Sequence, residues 1–202
     1  VSDQISISLI SNYLQLKQSN SLTPENTQKI LDLTTNSIIN SNPNQIISAE
    51  LNIIPDNGRQ TIVNYAEELG KVFKENRPKE VKNELQLITK ALESGDEKNL
   101  LQIESIIQVY DALILDMKSM YVPKTFQKSH LDMVNGLIHI STSLKSIKDT
   151  YNNPFGSVSA LSSYQNGVNV FLVARKATVD FIIKNKINYE QGSGGYYLLY
   201  GI

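Results

Sequence analysis

The chain of 202 residues contains no cysteine, no tryptophan and only two histidines. The absence of cysteine excludes disulfides, zinc–thiolate sites, iron–sulfur clusters and thiol catalysis. The 19 basic and 20 acidic side chains give a net charge of -1, which predicts that neither nucleic acid nor anionic lipid is the main partner. No apolar run approaches the roughly 20 residues that a membrane-spanning helix needs. The sequence therefore predicts no membrane span in the mature chain.

Apolar residues recur at helical spacing over most of the chain, and this pattern predicts an all-α fold. Proline, glycine and N-capping residues mark the boundaries between the apolar stripes, as at Thr23-Pro24 and Ser94-Gly95. The predicted helices cover 3–17, 23–40, 59–77, 78–94, 96–120, 125–151 and 157–187. About six to seven helices with short connections indicate an up-and-down helical bundle.

Three parts of the chain differ in their pattern. Residues 1–58 are interpreted as an N-terminal helical hairpin followed by an irregular connector that contains a possible short strand, although residues 5–9 also alternate as a strand would. Residues 59–188 form the predicted bundle core, in which the helix over 96–120 has the broadest apolar arc and is predicted to be central. Residues 189–202 form a tail rich in glycine and tyrosine.

The tail is the most unusual segment of the sequence. Its glycines, Gly192-Ser193-Gly194-Gly195, predict a flexible linker, and the uncharged aromatic residues after them have high β propensity. We therefore expect a short extended segment that is covered in the native state. It either folds back onto its own bundle or docks on a neighbouring subunit, by burial in a groove or by strand addition. The candidate interaction residues are Tyr196, Tyr197, Leu198, Leu199, Tyr200 and Ile202.

No catalytic, metal-binding or cofactor-binding site is predicted. His130 and His139 are nine residues apart on one predicted helix and so point to opposite faces; His130 falls on the inner stripe and His139 is expected to face solvent. The glycines of the tail lack the Lys-Ser/Thr pair and the following helix of a phosphate-binding loop. The nearest carboxylate pairs, Glu67-Glu68 and Asp111 with Asp116, are expected at outward, solvated positions.

From residue 51 onward the sequence combines short motifs that end helices or lie within them. They are Asn64-Tyr65-Ala66-Glu67-Glu68-Leu69, Asn83-Glu84-Leu85, Ile107 with Tyr110, Val122-Pro123, His130-Leu131, Asn135, Asn153-Pro154 and Tyr164-Gln165. In this pattern the chain resembles a group of uncharacterised exported helical-bundle proteins of ultrasmall candidate-phyla bacteria, which carry an N-terminal membrane or signal segment. The resemblance implies export and residence at the cell surface. It implies no activity and no functional residues.

These observations favour a non-enzymatic protein. The main hypothesis is an extracellular or cell-surface structural subunit that assembles into a homo-oligomer or polymer, such as a filament or surface layer, with its tail docked on a neighbour. The first residue is Val1 rather than methionine, and we expect that an N-terminal export segment is removed. The alternative is a monomeric cell-surface binding module that holds a peptide, glycan or small ligand in a bundle cleft lined by tyrosines.

Overall fold

The computed structural model describes residues 46–76, 87, 97–148 and 154–201. In these ranges the chain is mostly helical, which confirms the predicted predominance of helix. The helices are α1 (Arg59–Glu75), α2 (Glu97–Ser119), α3 (Gln127–Lys148), α4 (Pro154–Lys184) and α5 (Gly194–Tyr200). Single turns of 3-10 helix cover Ser48–Glu50 and Lys124–Phe126. The predicted N-terminal hairpin and most of the predicted helix over 78–94 lie outside the described residues.

Helix α1 begins and ends at polar residues that satisfy its exposed backbone groups. At its start, Asp56 accepts a hydrogen bond from the Gly58 amide at 2.8 Å and another from the Thr61 hydroxyl. At its end, the Asn76 side chain donates to the Val72 carbonyl at 3.0 Å and to Asp116 of α2 at 2.8 Å. The Asp56 contacts fix the turn before α1, and the second contact at Asn76 joins α1 to α2.

The irregular connector contains the short strand that the sequence suggested. Strand β1 (Asn52–Ile54) pairs in parallel with β2 (Tyr121–Pro123), with Ile53 opposite Val122. The Val122-Pro123 step between two predicted helices is therefore part of a two-stranded sheet. Asn135 of α3 fixes the chain before β1, because its side chain both accepts from the Ile46 amide and donates to the Ile46 carbonyl.

Helix α3 packs along α4 and also along α2, so two neighbouring helices cover it. Helix α2 buries Ile103, Ile106, Ile107, Leu113 and Met117 and exposes Leu115. The predicted central place of α2 involves the predicted helix over 78–94, most of which lies outside the described residues. The apolar stripe of the predicted helix over 125–151 is buried; its members are Phe126, Met133, Val134, Leu137, Leu144 and Ile147.

Two glycines allow α3 and α4 to cross closely. A Cβ atom on Gly136 would lie 2.8 Å from the Phe171 backbone nitrogen and 2.9 Å from the Gly167 carbonyl oxygen. A Cβ atom on Gly167 would lie 2.9 Å from the Gly136 carbonyl oxygen. Since the obstructing atoms belong to the backbone, any larger side chain at these positions must push the helices apart.

The tail is not extended. Residues 194–200 form helix α5, so the predicted flexible linker and extended segment are wrong. Ser193 accepts a hydrogen bond from the Tyr196 amide and so caps the helix start, and Gly201, with φ of 74°, ends it in the left-handed conformation. Both are ordinary helix-end signals. They outweigh the β propensity of the tyrosines because α5 is also packed against α1.

Candidate functional site: the seat of the C-terminal helix

The charged side chains nominated from sequence do not converge on a reactive centre. Glu68 is exposed, whereas Asp111 accepts from Ser141 and Lys145 of α3, and Asp116 accepts from Asn76. The two aspartates therefore link helices instead of forming a pair. In the part of the chain that the structure describes, no group of three or more His, Asp or Glu side chains is placed to hold a metal ion.

His130 belongs to a buried hydrogen-bonded chain in the core. Its Nε2 lies 2.9 Å from the Met117 carbonyl oxygen, and its Nδ1 lies 2.8 Å from the Tyr65 hydroxyl. Because a carbonyl only accepts, Nε2–H donates to Met117 and Nδ1 accepts from Tyr65. Burial lowers the pKa of His130 to about 4, against the weaker opposing effect of the bond to Met117. The predicted packed histidine is confirmed, and its partners give it a structural role.

His139 is buried, with only 7% of its surface exposed, so the expectation that it faces solvent is wrong. The two histidines do point to opposite faces of α3, but α4 covers the face that carries His139. The His139 Cβ lies only 2.9 Å from the position that a Cβ on Gly167 of α4 would occupy. Burial lowers the pKa of His139. The apolar pattern of one helix does not show that a neighbouring helix also covers its polar face.

The most specific arrangement of polar groups is the one that holds α5. Glu67 of α1 accepts hydrogen bonds from the Gly194 amide at 2.9 Å and the Gly195 amide at 2.7 Å, at the start of α5. Partial burial opposes ionisation of this carboxyl, but the Gly195 and Gly194 amides, the Ser193 hydroxyl and Lys71 outweigh it and lower the pKa of Glu67. The expected solvated role of Glu67 is therefore wrong, because this carboxylate caps another helix.

Two further side chains bind carbonyl groups of the tail, and a third binds the chain just before it. Lys74 donates to the Gly192 carbonyl at 3.1 Å, and Arg175 of α4 donates to the Leu198 carbonyl at 2.7 Å. Arg59 donates to the carbonyls of Asn185 and Lys186 at 3.1 and 3.0 Å, just after α4 ends. In addition, the Tyr189 hydroxyl donates to the Val63 carbonyl at 3.2 Å. The tail is thus bound mainly through its backbone.

Gly70 and Gly194 bring the backbones of α1 and α5 into direct contact. A Cβ on Gly70 would lie 1.7 Å from the Gly194 carbonyl oxygen, and a Cβ on Gly194 would lie 2.1 Å from the Glu67 carbonyl oxygen. Only glycine fits at either position. We call the residues that receive the helix (Glu67, Gly70 and Lys74 of α1, and Arg175 of α4) the α5 seat. The sequence analysis predicts this role for none of the four residues.

The predicted interaction residues divide between the core and the surface. Leu198 is fully buried in the core of its own chain, and Tyr196, Tyr197 and Leu199 are half-buried. Tyr200 is 61% exposed and its ring lies 4.6 Å from that of Tyr196, measured between centroids. Ile202 lies outside the described residues. In this structure the tail therefore packs on its own chain, and part of its aromatic surface faces outward.

Helix α4 carries exposed apolar side chains beside the end of α5. Leu172 and Val173 are 52% and 61% exposed, although Leu172 belongs to the apolar stripe of the predicted helix over 157–187. Arg175, one helical turn after Leu172, binds the Leu198 carbonyl and so places the end of α5 next to this turn. We call Leu172, Val173 and Tyr200 the α4–α5 surface. Exposed tyrosine and aliphatic side chains of this kind are the residue types that protein interaction surfaces use.

We expect Glu67→Ala to release the start of α5, because the Gly194 and Gly195 amides lose a charged acceptor. Hydrogen exchange at these two amides should become at least about tenfold faster, as measured by NMR. Glu68→Ala is the matched control, since Glu68 is the adjacent exposed residue on α1. Equal exchange rates in the two variants would contradict the capping role of Glu67.

Among the helices of the described ranges, none has both the length and the hydropathy that crossing a membrane requires. Comparisons of the chain with protein-family models, with curated proteins and with solved structures find no match.

Proposed function

We propose that this chain is a non-enzymatic structural subunit that self-assembles at the cell surface, as a filament or surface layer, with its C-terminal segment in contact with a neighbouring copy. In this proposal a bundle of α1 to α4 supplies the rigid body of the subunit. The observation that carries the proposal is the α4–α5 surface, where Leu172, Val173 and Tyr200 expose more than half of their surface.

The composition of the α4–α5 surface supports a protein partner. Exposed tyrosine and aliphatic side chains release water favourably when a second apolar surface covers them. The α5 seat holds Tyr200 on a short helix that is fixed at both ends, by Glu67 at its start and by Arg175 near its end. Little side-chain and backbone freedom then remains to be lost when a partner binds. A second copy of the chain is the partner that the proposal requires.

The location outside the cell is part of the same proposal. Its support is the resemblance to exported helical-bundle proteins that the short motifs from residue 51 onward carry.

We expect Leu172→Ser with Tyr200→Ser to abolish assembly of the chain. Negative-stain imaging and light scattering of the native chain should show ordered polymers, and the double variant should remain monomeric. Leu115→Ser is the control, because Leu115 is an exposed leucine on a different helix, α2, with 68% of its surface accessible. These substitutions test the surface better than removal of the tail, which would also strip the buried Leu198 from the core. A monodisperse native chain would contradict the proposed function.

A second candidate function is a monomeric binding module for a peptide, glycan or small ligand. The observation that favours it is the position of α5, which packs on α1 of its own chain instead of leaving the fold. This candidate predicts a monomeric native chain whose melting temperature rises with a specific ligand in a thermal-shift screen.

A further inference from the structure

The contacts that hold α5 do not depend on its belonging to the same chain. Glu67, Lys74 and Arg175 all bind backbone groups of the tail, and the glycine-to-glycine contact at Gly70 is also a backbone contact. Leu198 is the α5 side chain that becomes fully buried. The same seat therefore fits α5 of any copy of this chain, with the same bonds and the same buried side chain.

The segment between α4 and α5 divides into an anchored half and an exposed half. Ile187 is buried and Tyr189 is bound to Val63, so the chain remains attached to α1 up to Tyr189. Residues 190–192 are exposed and contact the seat through the bond from Lys74 to the Gly192 carbonyl. Gly192 adopts a left-handed φ of 86°, with open space around the position of a Cβ. Glycine changes its backbone angles at little energetic cost. Residues 190–192 are therefore the hinge at which α5 can leave its seat.

The length of the hinge limits where a second seat can lie. Residues 190–193 join the anchored Tyr189 to the start of α5 and reach about 13 Å when fully extended. The receiving seat must therefore belong to a copy that touches the subunit supplying α5. The hinge lies beside α1, because Lys74 of the seat binds the Gly192 carbonyl. Two copies that exchange α5 must therefore meet at the face that carries α1 and α5.

We infer that α5 is exchanged between adjacent copies, so that the helix of each subunit occupies the α5 seat of its neighbour. This inference rests on the proposed function and specifies its contact. The bonds within the seat are the same before and after exchange, so their contribution to the free energy largely cancels. The balance then depends on the hinge, on the new contact between the two copies and on protein concentration. Reciprocal exchange closes a dimer, and exchange in one direction continues into a polymer.

The test mixes two full-length variants that each lack one half of the contact. Gly70→Ala blocks the seat, because the added Cβ overlaps the Gly194 carbonyl, while its own α5 stays intact. Alanine is also favourable within helix α1. Leu198→Asp leaves the seat intact but places a charge where α5 must bury a side chain. Each variant alone contains no seat that its own helix can occupy.

We expect each variant alone to sediment as a monomer and the equimolar mixture to form a one-to-one complex of twice the mass. Only α5 of the Gly70→Ala chain in the seat of the Leu198→Asp chain accounts for that complex. A mixture that remains monomeric, with both variants helical by circular dichroism, overturns the exchange. If either variant is unfolded, Glu67→Lys and Gly194→Val replace the pair, since the first blocks the seat and the second disables the helix.

The native chain, measured alongside the mixture, separates the exchange from the proposed function. Polymers of the native chain together with an unreactive mixture would retain the structural subunit and reject the exchange of α5. A dimeric native chain together with a one-to-one complex would support reciprocal exchange and reject assembly into a filament or surface layer, and a monomeric native chain would reject both.

Discussion

Lowering the pH from about 7 to about 4 is expected to reduce the free energy of unfolding by about 3 kcal/mol through His130 alone. Burial lowers the pKa of His130 to about 4 in the folded chain, whereas the ordinary value of 6.5 applies when the chain unfolds. Below pH 6.5 the unfolded chain therefore binds a proton that the folded chain does not. The contribution of His130 to the free energy of unfolding is fully present above pH 6.5 and is lost as the pH falls from 6.5 to 4. Below pH 4 this contribution changes no further.

Urea unfolding across this pH range, on the native chain and on His130→Gln, measures the effect. A glutamine amide can donate to the Met117 carbonyl and accept from Tyr65, so the variant preserves the polarity of the site without a titrating group. We expect the variant to lose about 3 kcal/mol less than the native chain between the two pH values. His139→Gln should change the slope in the same direction, because burial also lowers the pKa of His139. Parallel profiles for the native chain and His130→Gln would contradict the prediction.

Gly136→Val is expected to lower the free energy of unfolding by about 3 kcal/mol, at the upper end of the usual effect of overpacking. The first carbon of the new side chain would already lie 2.8 Å from the Phe171 backbone nitrogen, and backbone atoms of α4 cannot rotate away. The displacement should also reach α1, because the Phe171 ring packs edge-on against Phe73 at 5.8 Å. Urea unfolding at neutral pH measures the change.

Thr142→Val is the matched control for the substitution at Gly136. Thr142 lies on the exposed side of the same helix, so valine there changes helix propensity and little else. We expect its effect to stay within about 0.5 kcal/mol of zero. If Gly136→Val also lowers the free energy of unfolding by no more than about 0.5 kcal/mol, α3 and α4 can separate without penalty, and the close crossing does not constrain residue 136.

The helix boundaries of α1 to α4 were largely predictable because their signals are local. Capping, proline and a stripe of apolar residues act within a few positions of one another, as from Ile62 through Tyr65 to Leu69. The burial of His130 followed from its place on such a stripe. The burial of His139 did not, because it depends on how closely α4 approaches a second face of α3.

The candidate site could be predicted only in part. The sequence marked the tail as a segment that must be covered, and Leu198 is covered. It did not predict the helix of the tail, although Ser193 and Gly201 are both helix-end residues. These two residues alone do not predict a helix, because seven residues that begin with two glycines form a poor helix in isolation. Packing against α1 and capping by Glu67 supply the missing stability.

By itself the sequence determined the helices α1 to α4, which side chains are apolar enough to form a core, and that no cysteine chemistry takes place. These properties depend on residue type and on spacing within a few turns. Only the tertiary structure decided that Glu67 caps α5, that Gly70 meets Gly194 and that Leu172 faces outward. Glu67 and Gly194 are 127 positions apart, and contacts over such a distance arise from how the helices pack, which no local pattern encodes.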